Sequence, residues 1–480
     1  MRIESIFILS AIVFASALAF CPDRDSKVTE LMNFNTSYEL PCMYAGMVDL
    51  DVKTESSMFY WYFVAPKPDY SKRLVLWFTG GPGDAGQESI FDENGPLKFR
   101  TREDNTTEVY SDIENSFVAV ADVIYVDQPL GVGYSTTHEN VTEGEQYADA
   151  IVEFLLKFYE IHPDQRLQEL IVAGNSYAGH YVPRTAKAIL DHNKKANDNN
   201  KINLKAIIAE GGYVDPITQR LSIKDLNIGA GLATLDILSE YEILEQKCEQ
   251  SLYLSPDSAF SDCKAMNRLM FDTNGGWDIM DIRYPLFTYL SPEKVYESYF
   301  KSETVQKQLH VISEGEETIP YTLVNDTIYH NIRFDGLKDY TKYYDEIVTS
   351  GVFTLVHTAS FDGLDGTLGT QRWMNNLNFT NHKMMDYNEK SIYYYKTNEG
   401  EEKVGGSFKL FEDESKRHKL FYASVYNAGH QIGNSQLTVS KSMLYDMVAY
   451  SALQCHQTDG NCKPPQNMCS HMNECSNQGT

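Results

Sequence analysis

A serine at a sharp junction between a predicted strand and a predicted helix constrains the fold of this chain more than any other feature. The apolar run 170–173 predicts a buried strand, glycines on both sides of the turn relax it, and Ser176 lies at its apex. Pro183 is expected in the first turn of the following helix, where proline is tolerated. This is the geometry of a nucleophile elbow, although Ala178 stands where the strict pattern has glycine. On this stretch alone, a loop serine without a catalytic role is an equal alternative.

Strand and helix patterns alternate around the elbow. A strand is predicted at 122–127, an amphipathic helix at 141–160, a strand at 168–173 and another at 204–209. This is the βαβ pattern of a parallel sheet covered by helices. The sequence therefore predicts an α/β-hydrolase fold, with a mixed and mostly parallel sheet flanked by helices. Two β-rich runs near the start of the chain predict an opening hairpin.

The chain is strongly acidic. Of its 480 residues, 42% are hydrophobic and 22% are charged, which is ordinary for a globular protein, but the formal net charge is -26. A charge of this sign repels nucleic acids and anionic membranes, so neither is an expected partner. The sequence leaves the oligomeric state open, with a homodimer among the alternatives.

The N-terminus has the pattern of a secretory signal peptide. Arg2 precedes the apolar run 6–19, so residues 1–19 are expected to be removed. A membrane anchor is the alternative, but the run is short for a span and no second one follows. The mature protein is expected in the secretory pathway, in a lysosome or outside the cell. Five Asn-x-Ser/Thr sequons favour glycosylation there, and they begin at Asn35, Asn105, Asn140, Asn325 and Asn378.

Eight cysteines, an even number, can all pair in an oxidising compartment. Cys248 and Cys263 are close enough in sequence to staple the middle of the chain. Half of the cysteines lie in the polar tail 454–480, which is interpreted as a disulfide-closed appendage. A metal site that uses His456 or His471 is the rival interpretation of this tail.

Two later strand ends carry groups that can act on a nucleophile. A strand predicted at 352–357 leads to Asp362 and Asp365, and the last predicted strand leads to His430. The order serine, acid, histidine is the order found in α/β hydrolases. A loop aspartate that makes a local turn and a structural histidine are the non-catalytic alternatives.

Three co-linear motifs resemble those of the serine carboxypeptidases. They are WFTGGPG at 77–83, VIYVDQPLGVGYS at 123–135 and GNSYAGHYVPR at 174–184, and the likeness runs from about residue 38 to about residue 453. The resemblance is to the type that includes the lysosomal protective protein and the vitellogenic-like carboxypeptidases. It implies release of C-terminal amino acids from peptide substrates by acyl transfer, with no metal and no organic cofactor.

The resemblance also implies catalytic roles for individual residues. Ser176 corresponds to the nucleophile, His430 to the general base and Asp362 to the acid that orients the imidazole. The N–H groups of Gly81 and Tyr177 correspond to the two donors of the oxyanion hole.

The carboxylate-binding group departs from the family pattern. In the family, an asparagine before Gly-Gly-Pro-Gly and two glutamates bind the free carboxylate. Here Thr79 replaces the asparagine next to Gly80, Asn175 replaces the elbow glutamate and Glu93 is kept. Asp84 stands where the family has a half-cystine. A carboxypeptidase-like acyltransferase and a secreted homologue without turnover are therefore alternative functions.

Changes of pattern divide the chain. The first half-sheet is expected to end at Asp215-Pro216, helix-like segments and aromatic loops follow, and strand patterns return at Val352. The expected parts are a signal peptide at 1–19, the first half of the core at 20–216, a cap insertion at 217–340, the second half of the core at 341–453 and a Cys-rich tail at 454–480.

Overall fold

The computed structural model describes residues 21–50, 55–66, 73–103, 106–273, 275–286, 293–377, 390–412 and 419–454. The expected signal peptide, the sequons at Asn105 and Asn378, and the cysteines from Cys455 onward lie outside these residues.

The centre of the protein is a ten-stranded sheet, with a separate two-stranded ribbon beside it. The strands are β1 Met43–Asp49, β2 Ser57–Phe63, β3 Arg73–Phe78, β4 Leu97–Thr101, β5 Thr107–Ser111, β6 Asp122–Val126, β7 Glu169–Asn175, β8 Leu204–Glu210, β9 Phe353–Ala359, β10 Ser391–Lys396, β11 Glu402–Glu412 and β12 Lys419–Val425. Their order in the large sheet is β1-β2-β6-β3-β7-β8-β9-β12-β11-β10, and β4 pairs with β5.

The middle of the large sheet is parallel and its two sides are antiparallel. From β6 through β3, β7, β8 and β9 to β12, each strand pairs in parallel with the next. The predicted hairpin of β1 and β2 adds antiparallel pairs on one side, and β11 and β10 do so on the other. Because the carboxyl ends of parallel strands meet at one edge, the loops after β3, β7, β9 and β12 converge there.

Near-continuous apolar runs explain why the central strands are buried. In β7 every residue from Leu170 to Asn175 is buried, a pattern that is typical of a parallel strand covered on both faces. Trp61 in β2 and Trp77 in β3 are also buried. Burial of one large apolar side chain stabilises a fold by about 1.5–3 kcal/mol.

Two long helices, Gly144–Ile161 and Ala178–Lys195, pack against each other, and the second also packs on β7 and β8. The first begins with a capping box, in which Gln146 Oε1 accepts a hydrogen bond from the N–H of Glu143 (3.1 Å). The other helices of six residues or more are Pro216–Gly229, Leu238–Leu254, Pro256–Thr273, Glu293–Phe300, Glu303–Gln308, Asp326–Asn331, Thr341–Thr349, Thr367–Met374 and Leu437–Tyr450. Short helical turns lie at Gly86–Glu88, Ser89–Glu93 and Ile432–Ser435.

The expected position of Pro183 is wrong. Pro183 is the sixth residue of the helix Ala178–Lys195 rather than a residue of its first turn. The helix starts directly after the elbow, because the carbonyl of Ser176 already accepts a hydrogen bond from the N–H of Gly179 (2.9 Å). Because the helix begins beside the serine, Pro183 lies in its interior.

Helices replace strands between β8 and β9, in the part of the chain for which the sequence predicts a cap. Leu238–Leu254 and Pro256–Thr273 form a helical hairpin with a small apolar core of its own. The predicted bridge between Cys248 and Cys263 is confirmed, with the two Cα atoms 4.5 Å apart. A second bridge, Cys21–Cys42, was not predicted. Within the residues described above, no helix is both long and apolar enough to cross a bilayer.

Candidate active site

Ser176 occupies the predicted elbow between β7 and the helix Ala178–Lys195. Its φ of 58° lies in the left-handed region, which costs a non-glycine residue about 1–3 kcal/mol. Its N–H donates to the carbonyl of Glu210 (3.1 Å), and its carbonyl accepts from the N–H groups of Gly179 (2.9 Å) and Tyr213 (2.8 Å). The end of β8 and the segment after it therefore hold the strained turn in place.

The loop after β3 lies against this elbow. A Cβ atom at Gly80 would lie 2.6 Å from the Cβ of Ser176, so only glycine permits the approach. Gly81 follows with a φ of 107°. Among the described residues, neither the N–H of Gly81 nor that of Tyr177 donates a hydrogen bond to the protein. Two such N–H groups beside a serine are what an oxyanion requires.

Asp362 and His430 form a buried ion pair. Asp362 Oδ2 lies 2.9 Å from His430 Nδ1, and both side chains are inaccessible to solvent. The other carboxylate oxygen accepts hydrogen bonds from the N–H groups of Leu364 (2.8 Å) and Asp365 (2.9 Å). In the described part of the chain, Nε2 of His430 has no hydrogen-bond partner. The acid thus fixes one imidazole nitrogen and leaves the other available for chemistry.

The surrounding carboxylates favour the charged form of His430. Burial lowers the pKa of the imidazole, but the charges of Asp362, Asp365 and Glu93 outweigh burial and raise the pKa of His430 above its ordinary value. Burial, with the adjacent charge of Asp362, raises the pKa of Asp365 to about 7. An imidazolium formed by proton transfer is therefore stabilised where it arises.

The predicted carboxylate-binding residues Glu93, Asn175 and Thr79 meet in one buried hydrogen-bond network. Ser89 is its centre: its Oγ donates to Glu93 Oε2 (2.6 Å), accepts from Trp77 Nε1 (2.9 Å) and lies 2.8 Å from Thr79 Oγ1. Asn175 Nδ2 donates to Glu93 Oε1 (2.5 Å). Burial raises the pKa of Glu93 to about 7. Sequence reasoning missed Ser89, because a serine four residues before a glutamate carries no distinctive signal.

Two more acids on the same segment were not predicted as members of a site. Burial raises the pKa of Asp84 to about 6, and burial together with neighbouring acids raises the pKa of Glu88 well above its ordinary value. Gln431 Nε2, next to His430 in the chain, lies 3.5 Å from Glu88 Oε1. Their closeness in sequence, directly after the glycine-rich loop, is the signal that could have found them.

Glu210 and His357 form a second buried contact between an acid and a histidine. Glu210 Oε2 is 3.3 Å from His357 Nε2, and both side chains are 2% exposed. The same carboxylate accepts from the N–H of Gly433 (3.0 Å) and from Ser440 Oγ (2.7 Å). Burial opposes the charge, but these partners outweigh it and lower the pKa of Glu210. Because Gly433 follows His430 closely, Glu210 ties the loop of the histidine to the end of β8.

Three predicted sequons lie among the described residues. Asn35 Nδ2 donates to Glu108 Oε1 (3.0 Å), and Asn325 Nδ2 donates to the carbonyl of Gly131 (2.6 Å). Asn140 is exposed. An oligosaccharide is attached through the amide nitrogen, so Asn140 is the sequon whose nitrogen is best placed for it.

No metal centre is found in the part of the chain that the structure describes, where no three or more His, Cys, Asp or Glu side chains are arranged to hold an ion. The metal site considered at His456 or His471 falls outside that part.

Comparison with known proteins decides the family. The family model described as serine carboxypeptidase matches residues 37–450, which include both halves of the sheet and the helical insertion. The chain belongs to the serine carboxypeptidase family. The predicted family is thereby confirmed, and serine carboxypeptidases are peptidases, which are a class of hydrolase.

Fungal and plant serine carboxypeptidases are similar to this chain. The pheromone-processing carboxypeptidase KEX1 of Lodderomyces elongisporus is 33% identical over 294 residues, which are 57% of this chain and 41% of that protein. The serine carboxypeptidase-like 47 of Arabidopsis thaliana is 27% identical over 415 residues, which are 84% of this chain and 77% of that protein. The chain thus spans less than half of the first relative and about three quarters of the second.

A solved structure confirms the α/β-hydrolase fold. The crystal structure of a prohormone-processing carboxypeptidase from Saccharomyces cerevisiae matches with a TM-score of 0.77 at 20% identity, over 90% of this chain and 97% of that one. The two disulfides and the serine carboxypeptidase family together indicate the secretory pathway. The relatives named above are two fungal carboxypeptidases that process pheromones or prohormones and a plant serine carboxypeptidase-like protein. None of them is named as the lysosomal or vitellogenic-like type that the sequence favoured.

Proposed function

We propose that this chain removes amino acids from the C-terminus of peptides through an acyl-enzyme on Ser176. The observation that carries the proposal is the buried pair of Asp362 and His430, which lies at the same sheet edge as the elbow serine. Nδ1 of the imidazole is held at 2.9 Å by the acid, and Nε2 is left for the nucleophile. Three groups after three different strands thus supply nucleophile, base and orienting acid.

Acylation begins when Ser176 Oγ attacks the carbonyl carbon of the last peptide bond and Nε2 of His430 takes the hydroxyl proton. Asp362 stabilises the resulting imidazolium. The N–H groups of Gly81 and Tyr177 hold the negative oxygen, a contribution of about 3–4 kcal/mol per donor. The imidazolium then gives its proton to the amine, the C–N bond breaks, and the shortened peptide stays as an ester of the serine.

Water completes the cycle. His430 takes a proton from water, and the water oxygen attacks the ester carbon. Ser176 Oγ leaves with the electron pair of the C–O bond and recovers the proton from the imidazolium. The products are a peptide one residue shorter and a free amino acid. The proposal requires no metal and no organic cofactor.

Recognition of the free carboxylate falls to Glu93, Asn175, Thr79 and Gly80 in this proposal. Below about pH 7 the carboxyl of Glu93 is protonated, so it donates a hydrogen bond to the substrate carboxylate instead of repelling it. The amide of Asn175 carries two hydrogens, of which Glu93 uses one, so the other can donate at any pH. The burial of this network beside Ser176 supports the assignment.

Amino-acid release from a panel of N-blocked dipeptides tests the function. We expect wild type to release the C-terminal residue and Ser176→Ala to lower this rate by roughly a thousandfold or more, because no other group can form the acyl-enzyme. The variant should also lose labelling by an organophosphate, while its secretion and thermal unfolding match those of wild type. Labelling that persists in Ser176→Ala would place the nucleophile elsewhere.

A carboxypeptidase-like acyltransferase is the second candidate. It is favoured by the network itself, in which the side chains of Asn175 and Thr79 are already bound by Glu93 and Ser89 rather than directed only at a ligand. Such an enzyme forms the same acyl-enzyme but passes the acyl group to an alcohol. An ester substrate with an alcohol acceptor separates the two, since transfer without any release from peptides would identify the acyltransferase. The complete triad argues against a homologue without turnover.

We also infer a lysosomal or extracellular site of action, in line with the lysosomal protective and vitellogenic-like type. The signal-like N-terminus, the exposed sequon at Asn140 and the raised pKa values of Glu93 and Asp84 support an acidic compartment of the secretory pathway. The net charge of -26 argues against nucleic acid or an anionic membrane as a partner. Sedimentation analysis distinguishes a homodimer from a monomer.

A further inference from the structure

A cavity of about 480 Å³ extends from Ser176 toward the inserted helices. Gly81, Ser176 and Tyr177 line it on the side of the core, and the helix Pro256–Thr273 contributes the largest share of its lining on the side of the insertion. The proposed carboxylate-binding group does not line it. If the leaving amino acid lies on the Glu93 side of the serine, this cavity receives the part of the peptide that becomes the acyl group.

The lining of this cavity carries an excess of positive charge. Four basic and two acidic side chains line it, namely Arg220, Lys264, Arg268, Arg333, Asp272 and Asp365. Arg268 is neutralised within the rim, because its Nε lies 3.1 Å from Asp272 Oδ2. The chain as a whole has a formal charge of -26, so the sign of the cavity is opposite to that of the molecule.

Lys264 and Arg333 both lie beside the ring of Phe260 in the cavity lining. The Lys264 ammonium lies 5.9 Å and the Arg333 guanidinium 5.8 Å from the ring centroid of Phe260, so the two charges are at most about 12 Å apart. Neither forms an ion pair with any residue in the described ranges. Arg333 Nη1 donates to the carbonyl of His330 (2.8 Å), which holds the side chain in place. An anion that binds beside this ring would be attracted by both cations.

Arg220 is a third cation in the cavity lining, and contacts with Tyr213 hold its side chain in place. Its Nε donates to Tyr213 Oη (2.7 Å), and its guanidinium lies 5.1 Å from the centroid of the same ring. A guanidinium has five N–H donors, so this bond leaves others for a ligand. Phe271 and Ile223 also line the cavity. The cavity thus combines apolar walls for methylene groups with cations that suit a carboxylate.

We propose that this cavity selects acidic side chains, so that the preferred peptides carry Glu or Asp within the two residues before the C-terminal one. This specificity rests on the proposed function, because it takes the cavity as the acyl side of the site. The carboxylate of the side chain lies between Lys264 and Arg333, and its methylene groups pack on Phe260. Charge-assisted hydrogen bonds to the guanidinium provide the discrimination against an uncharged amide of the same shape.

Blocked tripeptides that end in leucine and differ by Glu, Gln or Lys at one of the two preceding positions test the proposal. At one position at least, we expect Glu to raise kcat/KM about fivefold over Gln and Lys to lower it by a similar factor, a range suited to partly exposed charges. Higher ionic strength should shrink the preference. Lys264→Gln and Arg333→Gln should each reduce it, and Arg333→Glu should turn it toward Lys.

Lys301→Gln is the matched control, since it makes the same change of charge outside the cavity and should leave the preference unchanged. Equal kcat/KM for the Glu, Gln and Lys peptides would overturn the proposal. A loss in Arg333→Gln that is the same for every peptide would also overturn it, because Arg333 would then bind the terminal carboxylate.

Binding to the Ser176→Ala variant separates this specificity from the proposed function. Calorimetric titration with the same tripeptides needs no turnover, and we expect the Glu peptide to bind about fivefold more tightly than the Gln peptide. Acid-selective binding without any peptidase activity in wild type would contradict the proposed function alone. Peptidase activity with unselective binding would contradict the specificity alone.

Discussion

A single proton on Glu93 decides whether the proposed carboxylate site attracts or repels its ligand. Burial raises the pKa of Glu93 to about 7, although the Ser89 hydroxyl and the Asn175 amide favour the charged form. A protonated carboxyl donates to the substrate carboxylate, and an ionised one repels it. Glu93, which the chain shares with the family, must therefore be protonated to bind the substrate carboxylate. Asn175, which replaces the family's second glutamate, has no such requirement.

The ratio of peptide to ester hydrolysis reports this proton. An ester of a simple alcohol has no free carboxylate, so its kcat/KM requires neutral His430 but not protonated Glu93. We expect the ratio of peptide to ester kcat/KM to fall as pH rises through about 7, the pKa of Glu93, because the requirement for His430 cancels. Glu93→Gln, whose amide donates at any pH, should flatten the ratio. A ratio that is constant with pH in wild type would refute the role of Glu93.

The substitution at the elbow makes a second prediction. Asn175→Glu places two carboxyl groups side by side, and both must be protonated to receive a third carboxylate. The peptide-to-ester ratio of this variant should therefore fall at lower pH than that of wild type. Asn175→Gln is the control, because it matches the length of glutamate without a titrating group. Superimposable profiles for Asn175→Glu and wild type would show that residue 175 does not touch the carboxylate.

Individual strands were predictable where burial on both faces of the sheet requires a continuous run of apolar residues. β7 and β8 lie within one or two residues of their predicted bounds, and Ser176, Asp362 and His430 each follow a predicted strand. Pro183 was misplaced because the elbow lets its helix begin earlier than the proline suggests. The contact of Asn175 with Glu93 depends on how the end of β7 meets the helical turn Ser89–Glu93, so no local pattern reveals it.

The helices between β8 and β9 were predictable only in outline. They pack on a small core and on the rim of the large one, so their apolar faces are narrow and give little periodicity. Lys264 and Arg333 come from different segments, and only the packing of those segments brings both to Phe260. Cysteine spacing was the one strong signal in this region, and it identified the bridge between Cys248 and Cys263.

That bridge is expected to stabilise the helical hairpin rather than the sheet. It closes a loop with a sequence separation of 15, for which the loss of chain entropy in the unfolded state is worth about 3 kcal/mol. Replacement of Cys248 and Cys263 by serine should make the insertion sensitive to limited proteolysis and raise KM, while the sheet keeps its fold. Cys21 and Cys42, replaced in the same way, serve as the comparison. Unchanged proteolysis of the insertion would contradict the prediction.

Across the whole molecule, buried carboxyl groups link folding to pH. Burial raises their pKa values to about 6 for Asp84, Asp122 and Asp127, and to about 7 for Glu93 and Asp365. A carboxyl group in the unfolded chain has a pKa of about 4, so the folded state binds more protons than the unfolded state between about pH 4 and 7. The free energy of unfolding therefore falls as pH rises through this window.

We expect the melting temperature to be a few degrees higher at pH 5.5 than at pH 8. Buried His162 and His180 oppose this trend, since burial lowers their pKa values to about 3 and about 4. The folded protein holds both imidazoles neutral, so it loses free energy of unfolding as pH falls below about 6.5. They are fewer than the carboxyl groups, and a net charge of -26 also repels itself less in acid. Calorimetry at both pH values checks the prediction, and a higher melting temperature at pH 8 would refute it.

The strand that precedes the proposed nucleophile, β7, is made well before β12, the strand that precedes the proposed base. A chain that has already formed the elbow after β7 lacks His430 until β12 has been made and has paired with β9. Until that pairing forms, the chain lacks the proposed general base and cannot form the proposed acyl-enzyme. The topology therefore postpones the proposed proteolysis until the chain through β12 and His430 has been made and folded.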